Sequence, residues 1–186
     1  MNVDAEKHYV RYLAPGCDRD LVLEDLMTAY GEDVWNFAFF LTRRADAAGD
    51  ISQDVFLIVY NRLYAFRGEC SIKSWILGIT RNKALNYRKN AFIRKVTLTG
   101  AWVPEPDRSP SAEQTAFRKL AARELWERVM ALPMKFREAV ILAYHLDLPI
   151  GEIAAALQVS EGTVKSRLYR AKRKMAALLE AETRGE

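Results

Sequence analysis

LDLPIGEIAAALQVSEGTVKSRLYRAKRKM, residues 146–175, decides how the rest of the chain is read. It divides at Gln158–Ser160 into two helical patterns. In the first, Ile153, Ala154 and Leu157 recur at helical spacing. Pro149 suits its opening turn, where a missing N–H costs nothing. Ser160 is a fitting N-cap for the second, because its hydroxyl can accept from an otherwise orphaned backbone N–H. Val164, Leu168, Ala171 and Met175 then follow at i, i+4, i+7 and i+11, a narrow apolar stripe. Set against Ile153, Ala154, Leu157 and Val159, that stripe predicts two packed helices, with the small Ala154 where they cross closely. Subtracting it leaves Lys165, Ser166, Tyr169, Arg170 and Arg173 on one outer face, with Arg167 in the same basic row. A helix lying in the major groove of DNA needs this mixture. Short polar and long basic side chains reach base edges, and flanking cations clamp phosphates. Thr163 and the free N–H groups of the first turn suit phosphate oxygens.

The chain has 186 residues, half of them apolar and 11% aromatic, enough for one large or two small cores. Its formal charge is +4, so the distribution of charge says more than the total. Residues 1–33 are acidic, with Asp4, Glu6, Asp18, Asp20, Glu24, Asp25, Glu32 and Asp33 against Lys7, Arg11 and Arg19. Arg81–Lys95 holds six basic residues and no acidic one. Localised basic stripes of this kind suit a polyanionic partner. Cys17, Cys70, His8 and His145 have no metal-ligand spacing, which predicts no metal site and thiols in a reducing compartment. The polar, acidic start is not a signal peptide, and no apolar run approaches the ~20 residues that cross a bilayer. A soluble cytoplasmic protein is expected. No phosphate-binding glycine loop or nucleophile–base pairing is visible, so neither catalysis, a cofactor nor a small-molecule substrate is expected.

Taken in order, residues 1–19 read as a loose N-terminal arm. Asp20–Leu41 reads as helix, with Leu21, Leu26, Tyr30, Val34, Trp35, Phe37, Ala38 and Leu41 inward and a break or bend at Gly31. Arg43–Gly49 reads as a turn. A helix starting at Asp50 or Ser52 buries Val55, Phe56, Ile58, Val59 and Leu63 and exposes Gln53, Asp54, Asn61 and Arg62. Ala65–Cys70 is a loop, Ser71 caps the next helix, and that helix runs through Trp75, Ile76, Ile79, Ala84 and Leu85 to about Asn90. Periodicity is lost from Phe92 to Ser111, where Pro104, Pro106 and Pro110 mark a flexible linker over 93–111. Ser111 with Gln114 resembles a capping box. Four helical patterns follow, at about Ala112–Ala131 (Leu120, Leu125, Val129 and Leu132 inward), Lys135–His145, Ile150–Leu157 and Glu161–Ala181. The expected fold is all-α, with two small helical domains at 20–92 and 112–182.

Three passages now resemble a known family. EIAAALQVSEGTVKSRLYRAKRKM (152–175) is similar to region 4 of the extracytoplasmic-function sigma factors of bacterial RNA polymerase, and LPMKFREAVILAYHLDLP (132–149) to the segment before it. DISQDVFLIVYNRLYAFRGECSIKSWILGITRNKALNYRKN (50–90) resembles sigma region 2, with Gln53-Asp54-Val55-Phe56 in the family's order. Ala48-Gly49-Asp50 departs from the usual Ala-Glu-Asp.

The resemblance implies a region-2 domain that docks on core polymerase through Asp50, Gln53, Asp54 and Asn61. It implies a −10 promoter loop holding Phe66, Arg67, Ser71 and Lys73. A promoter-facing helix would carry Arg81, Asn82, Lys83, Asn86, Tyr87, Arg88 and Lys89. Thr163, Lys165, Ser166, Arg167, Tyr169, Arg170 and Arg173 would read the −35 duplex. Trp75 reads as core more than as a stacking platform, and Trp35, Phe37, Phe39 and Phe40 as core and subunit contact. The implied partners are core polymerase, promoter DNA and an anti-sigma factor, often membrane-anchored in the family. The competing reading is a stand-alone helix-turn-helix regulator whose N-terminal domain senses a ligand or dimerises.

Overall fold

The computed structural model describes residues 18–99 and 125–183. Among them every regular element is helical. The chain divides into an N-terminal and a C-terminal compact unit. Residues 1–17 of the arm, with His8 and Cys17, the prolines Pro104, Pro106 and Pro110, the Ser111–Gln114 box and Leu120 lie outside the described residues.

In the N-terminal unit, α1 (Arg19–Thr42), α2 (Ala45–Arg62) and α3 (Ile72–Thr99) pack pairwise against one another. Asp18 caps α1 by accepting from the Asp20 N–H at 2.9 Å. Val22, Leu26, Val34, Phe37, Ala38 and Leu41 of α1 are buried. They meet Ala47, Ala48, Ile51, Val55, Phe56 and Val59 of α2, and Ile72, Ile76, Leu77 and Ala84 of α3.

Four expectations are corrected here. Helix α1 runs through Gly31 without a break, because one helical glycine costs only about 1 kcal/mol and the apolar residues on either side of it recover more than that. Its inward stripe takes Val22, leaving Leu21 61% exposed. Only Arg43 and Arg44 separate α1 from α2. Arg43 closes α1 in the left-handed region (φ 61°), its N–H donating to the Phe39 carbonyl at 2.7 Å, and α2 then starts on a run of good helix formers with Ala47 and Ala48 buried. Helix α3 continues to Thr99, since nothing between Asn90 and Gly100 breaks it. Arg19 opens α1, its guanidinium 5.1 Å from the Tyr60 ring centre and 4.5 Å from that of Tyr64.

The C-terminal unit is built around α5 (Met134–Tyr144), with α4 described over residues 125–131, α7 (Glu161–Thr183) and, as far as residue 154, α6 (Ile150–Leu157). Pro133 stands at the N-cap of α5. Phe136 to Leu142 are buried without interruption, Arg137 and Glu138 included. Arg137 donates to the carbonyls of Met130 and Leu132, satisfying the end of α4. Val129 and Leu132 are buried as expected, but Leu125 is half exposed. The turn between α6 and α7 is made by Gln158 (φ 55°), and the Val159 N–H donates to the Ala154 carbonyl at 3.0 Å. Ser160 caps α7, its Oγ accepting from the Thr163 N–H at 3.2 Å. Val164 and Ala171 are buried; Leu168 and Met175 are half-buried.

Candidate nucleic-acid interface

On α7, removal of the buried stripe leaves Lys165, Ser166, Tyr169, Arg170 and Arg173 exposed. Ser166, Arg170 and Arg173 lie at i, i+4 and i+7, one line along the helix. Their lower end opens into a concavity of about 470 Å³ lined by Lys135, Phe136, Ser160, Gly162, Thr163, Ser166, Arg167 and Arg170. Three hydroxyls, three cations and the first-turn N–H groups of α7 therefore share one shallow basic hollow. Lys165 approaches Glu161 only at 3.8 Å, and both are exposed, so the pair is weak. Arg167 differs from its neighbours. Its guanidinium turns inward and donates to Glu138 Oε1 at 2.7 Å. The basic row is thus one cation shorter on its outer face than the sequence suggests.

In the N-terminal unit, Leu63–Ala65 form a single 3-10 turn, followed by the loop 66–71. Gly68 takes φ 70°, a conformation costly for side-chain-bearing residues. The ring of Phe66 lies 5.2 Å from that of Trp75, tilted by 42°. Trp75 is half-buried, so it belongs partly to the core and partly to the loop surface. Arg67 is exposed. Ser71 caps α3, its Oγ accepting from the Ser74 N–H at 3.1 Å, and Lys73 pairs with Asp33 of α1 at 2.9 Å.

Along α3, Asn82, Asn86 and Lys89 are exposed at i, i+4 and i+7, while Arg81 and Tyr87 are half-buried beside them. Lys83 pairs with Asp54 of α2 at 2.9 Å. Arg88 reaches back to donate to the Leu41 carbonyl at 2.9 Å, closing the end of α1. Partial desolvation of that guanidinium where it folds back on α1, with Arg43 nearby, pulls its pKa below the usual arginine value, though the residue as a whole stays exposed. The polar stripe of α2 holds Asp50, Gln53, Asp54 and Asn61, all exposed. Leu57 sits among them with 61% of its surface in solvent.

Sequence reasoning did not find the partners of Lys73, Lys83, Arg88 and Arg167. For Arg167 a signal existed: Glu138 lies inside the apolar run FREAVILA, and a carboxylate there needs a cation. The other three pairs join residues far apart in sequence and leave no local trace. Leu57 was overlooked because an exposed leucine on a polar face breaks no rule until the face is seen whole. Among the described residues, no group of His, Cys, Asp and Glu could hold a metal ion, and no helix is long and apolar enough to cross a membrane.

Comparison with known proteins bears on this arrangement. The family model for sigma-70 region 2 matches residues 26–91, and that for sigma-70 region 4 matches residues 122–175. The ECF RNA polymerase sigma factor SigX of Bacillus subtilis is 29% identical over 78% of this chain and 77% of its own length. The ECF RNA polymerase sigma factor SigM of Mycobacterium tuberculosis (H37Rv) is 30% identical over 84% of this chain and 76% of its own. The solved structure of the sigma factor RpoE of Bartonella quintana, in complex with its anti-sigma factor NepR, shares the fold. Its TM-score is 0.72 at 21% identity, over 88% of this chain and 98% of that one. CnrH, solved with the cytosolic domain of CnrY, aligns over 96% of this chain with a TM-score of 0.68 at 21% identity. With both sigma regions present in order, the chain belongs to the extracytoplasmic-function sigma factors of the sigma-70 family.

Proposed function

We propose that this protein is an alternative sigma factor that binds core RNA polymerase and directs it to promoters carrying its own −10 and −35 elements. The observation that carries the reading is the co-occurrence in one chain of the region-2 and region-4 units. Each presents an exposed polar or basic face where the family's function needs one. In this reading α7 lies in the −35 major groove. Ser166, Tyr169 and Arg170 face base edges, and Lys165, Thr163 and Arg173 face phosphates. The α3 line of Asn82, Asn86 and Lys89, with Arg81 and Tyr87, faces the −10 DNA. Phe66 and Arg67 stand where an unstacked base would be held. The α2 stripe Asp50, Gln53, Asp54, Leu57 and Asn61 docks on the polymerase.

Chemistry belongs to the polymerase, and the sigma factor supplies binding energy only. An anti-sigma partner fits the exposed apolar side chains Leu57 and Tyr64, and one sigma factor of this fold, RpoE of Bartonella quintana, is known from a complex with the anti-sigma factor NepR.

Run-off transcription tests the reading. Core enzyme plus this protein should yield transcripts of defined start from a subset of genomic promoters, with none from core enzyme alone. Sequence-specific duplex binding by the free chain, together with no promoter-specific transcript from the mixture, would show a stand-alone regulator instead.

A further inference from the structure

Glu138 is the one acidic side chain among the described residues whose burial is nearly complete, with 2% of the side chain exposed, and its Oε1 lies 2.7 Å from Arg167 Nη1. Phe136, Ala139, Ile141 and Leu142 are buried on the same helix. A carboxylate in such surroundings must be neutralised, and removing either charge of the pair is costly. Arg167 comes from the N-terminal half of α7, the part of a groove-lying helix that approaches the DNA most closely, with cations at its flanks in reach of phosphates. It also lines the basic hollow with Lys135, Ser166 and Arg170. Its position is that of a phosphate clamp, but its charge is directed inward.

We propose that Glu138 is a specificity-determining residue that withholds Arg167 from the DNA backbone. The proposal rests on the reading of α7 as the duplex-reading helix. A phosphate contact strengthens binding to every sequence alike, while base contacts separate one sequence from another. Holding one cation inside the unit therefore lowers binding to irrelevant duplex and leaves the base-facing residues untouched. Glu138 acts through Arg167 and touches no nucleotide itself.

The test is the salt dependence of duplex binding by the full chain, measured on a promoter-length duplex of scrambled sequence. Each phosphate newly engaged steepens the slope of log K against log salt by about 0.9. Glu138→Gln should steepen it by that amount and tighten binding several-fold at low salt. The double variant Glu138→Gln/Arg167→Gln should return the wild-type slope. Where Glu138→Gln alone does not fold, Glu138→Asp carries the test: it keeps the buried charge but shortens its reach, loosens its hold on Arg167 and should steepen the slope in the same direction. A purely structural role for the pair would alter thermal stability and leave every slope unchanged, which overturns the proposal. A double variant whose slope is flatter than wild type by about 0.9 also overturns it, because Arg167 would already be holding a phosphate. Absence of any salt-dependent duplex binding by the wild-type chain would sink the reading of α7, and this inference with it.

Discussion

Several charged side chains that look from the sequence like nucleic-acid contacts are engaged within the protein. Arg88 closes α1, Lys73 and Lys83 pair with carboxylates of α1 and α2, and Arg167 neutralises Glu138. Arg170 has no such engagement and stands exposed at the rim of the hollow. Arg170→Ala should therefore weaken −35-dependent binding of the holoenzyme by about 1–3 kcal/mol, the range for a base-reading arginine. Competition between promoter and scrambled duplex measures it. A uniform loss on both DNAs would demote Arg170 to a phosphate contact. Asp46 offers a second check at this scale. The Arg44 guanidinium beside it, Nε 3.0 Å from Oδ1, holds its carboxyl at about 2 instead of the ordinary 3.8. The folded-state value is depressed, so the stabilisation is present above about 3.8 and is lost as pH falls toward about 2. A carboxyl NMR titration should give the low midpoint, and Arg44→Ala should raise it toward the ordinary value, with the backbone N–H of Ala47 still holding it somewhat below. Residue types and spacing were enough to nominate the cations. Which of them reach solvent depended on partners tens of residues away, and a single sequence carries no record of those.

At the scale of elements the helices were legible where caps and apolar periodicity agreed. The limits of α6 were read to the residue, and the Ser160 and Ser71 caps are in place. The misreadings came from treating single residues as punctuation. Gly31 reads as a break or bend, but α1 passes through it, and a methyl group there would meet nothing within 4 Å. Gly31→Ala should accordingly raise stability by about 0.5–1 kcal/mol, through helix propensity and a less flexible unfolded chain. Chemical denaturation of the full chain checks this, and a destabilised variant would show that the glycine serves a contact made in a complex. The register of α2 makes a different prediction. Leu57 lies on one exposed line with Asp50, Asp54 and Asn61. Apolar side chains in such a position are anchors for a protein partner more often than for DNA. Leu57→Ala should leave the melting temperature almost unchanged and lower affinity for core polymerase by on the order of 10-fold. Pull-down titration reads the loss directly, and unaltered capture would move the polymerase surface off this face.

For the whole molecule, the physical question is why two small units should be carried on one chain. Each has a modest face. On α7 five outward side chains, Lys165, Ser166, Tyr169, Arg170 and Arg173, are available to touch bases or phosphates, and on α3 a similar number. Interfaces of that size give weak, salt-sensitive binding when acting alone. Once core polymerase holds both units, engagement of one promoter element makes engagement of the other effectively intramolecular, and the two affinities multiply. Specificity should then be a property of the assembly. Replacing either the −35 or the −10 element in a cognate promoter should cost the holoenzyme on the order of 10²-fold in binding or more. The free chain should separate the same intact and half promoters by less than about 10-fold, since it loses only one weak contact set at a time. Parallel filter-binding titrations at matched salt decide the matter. If the free chain separates intact from half promoters as sharply as the holoenzyme does, its two units cooperate without polymerase, and the protein works as a regulator that recognises its operator alone.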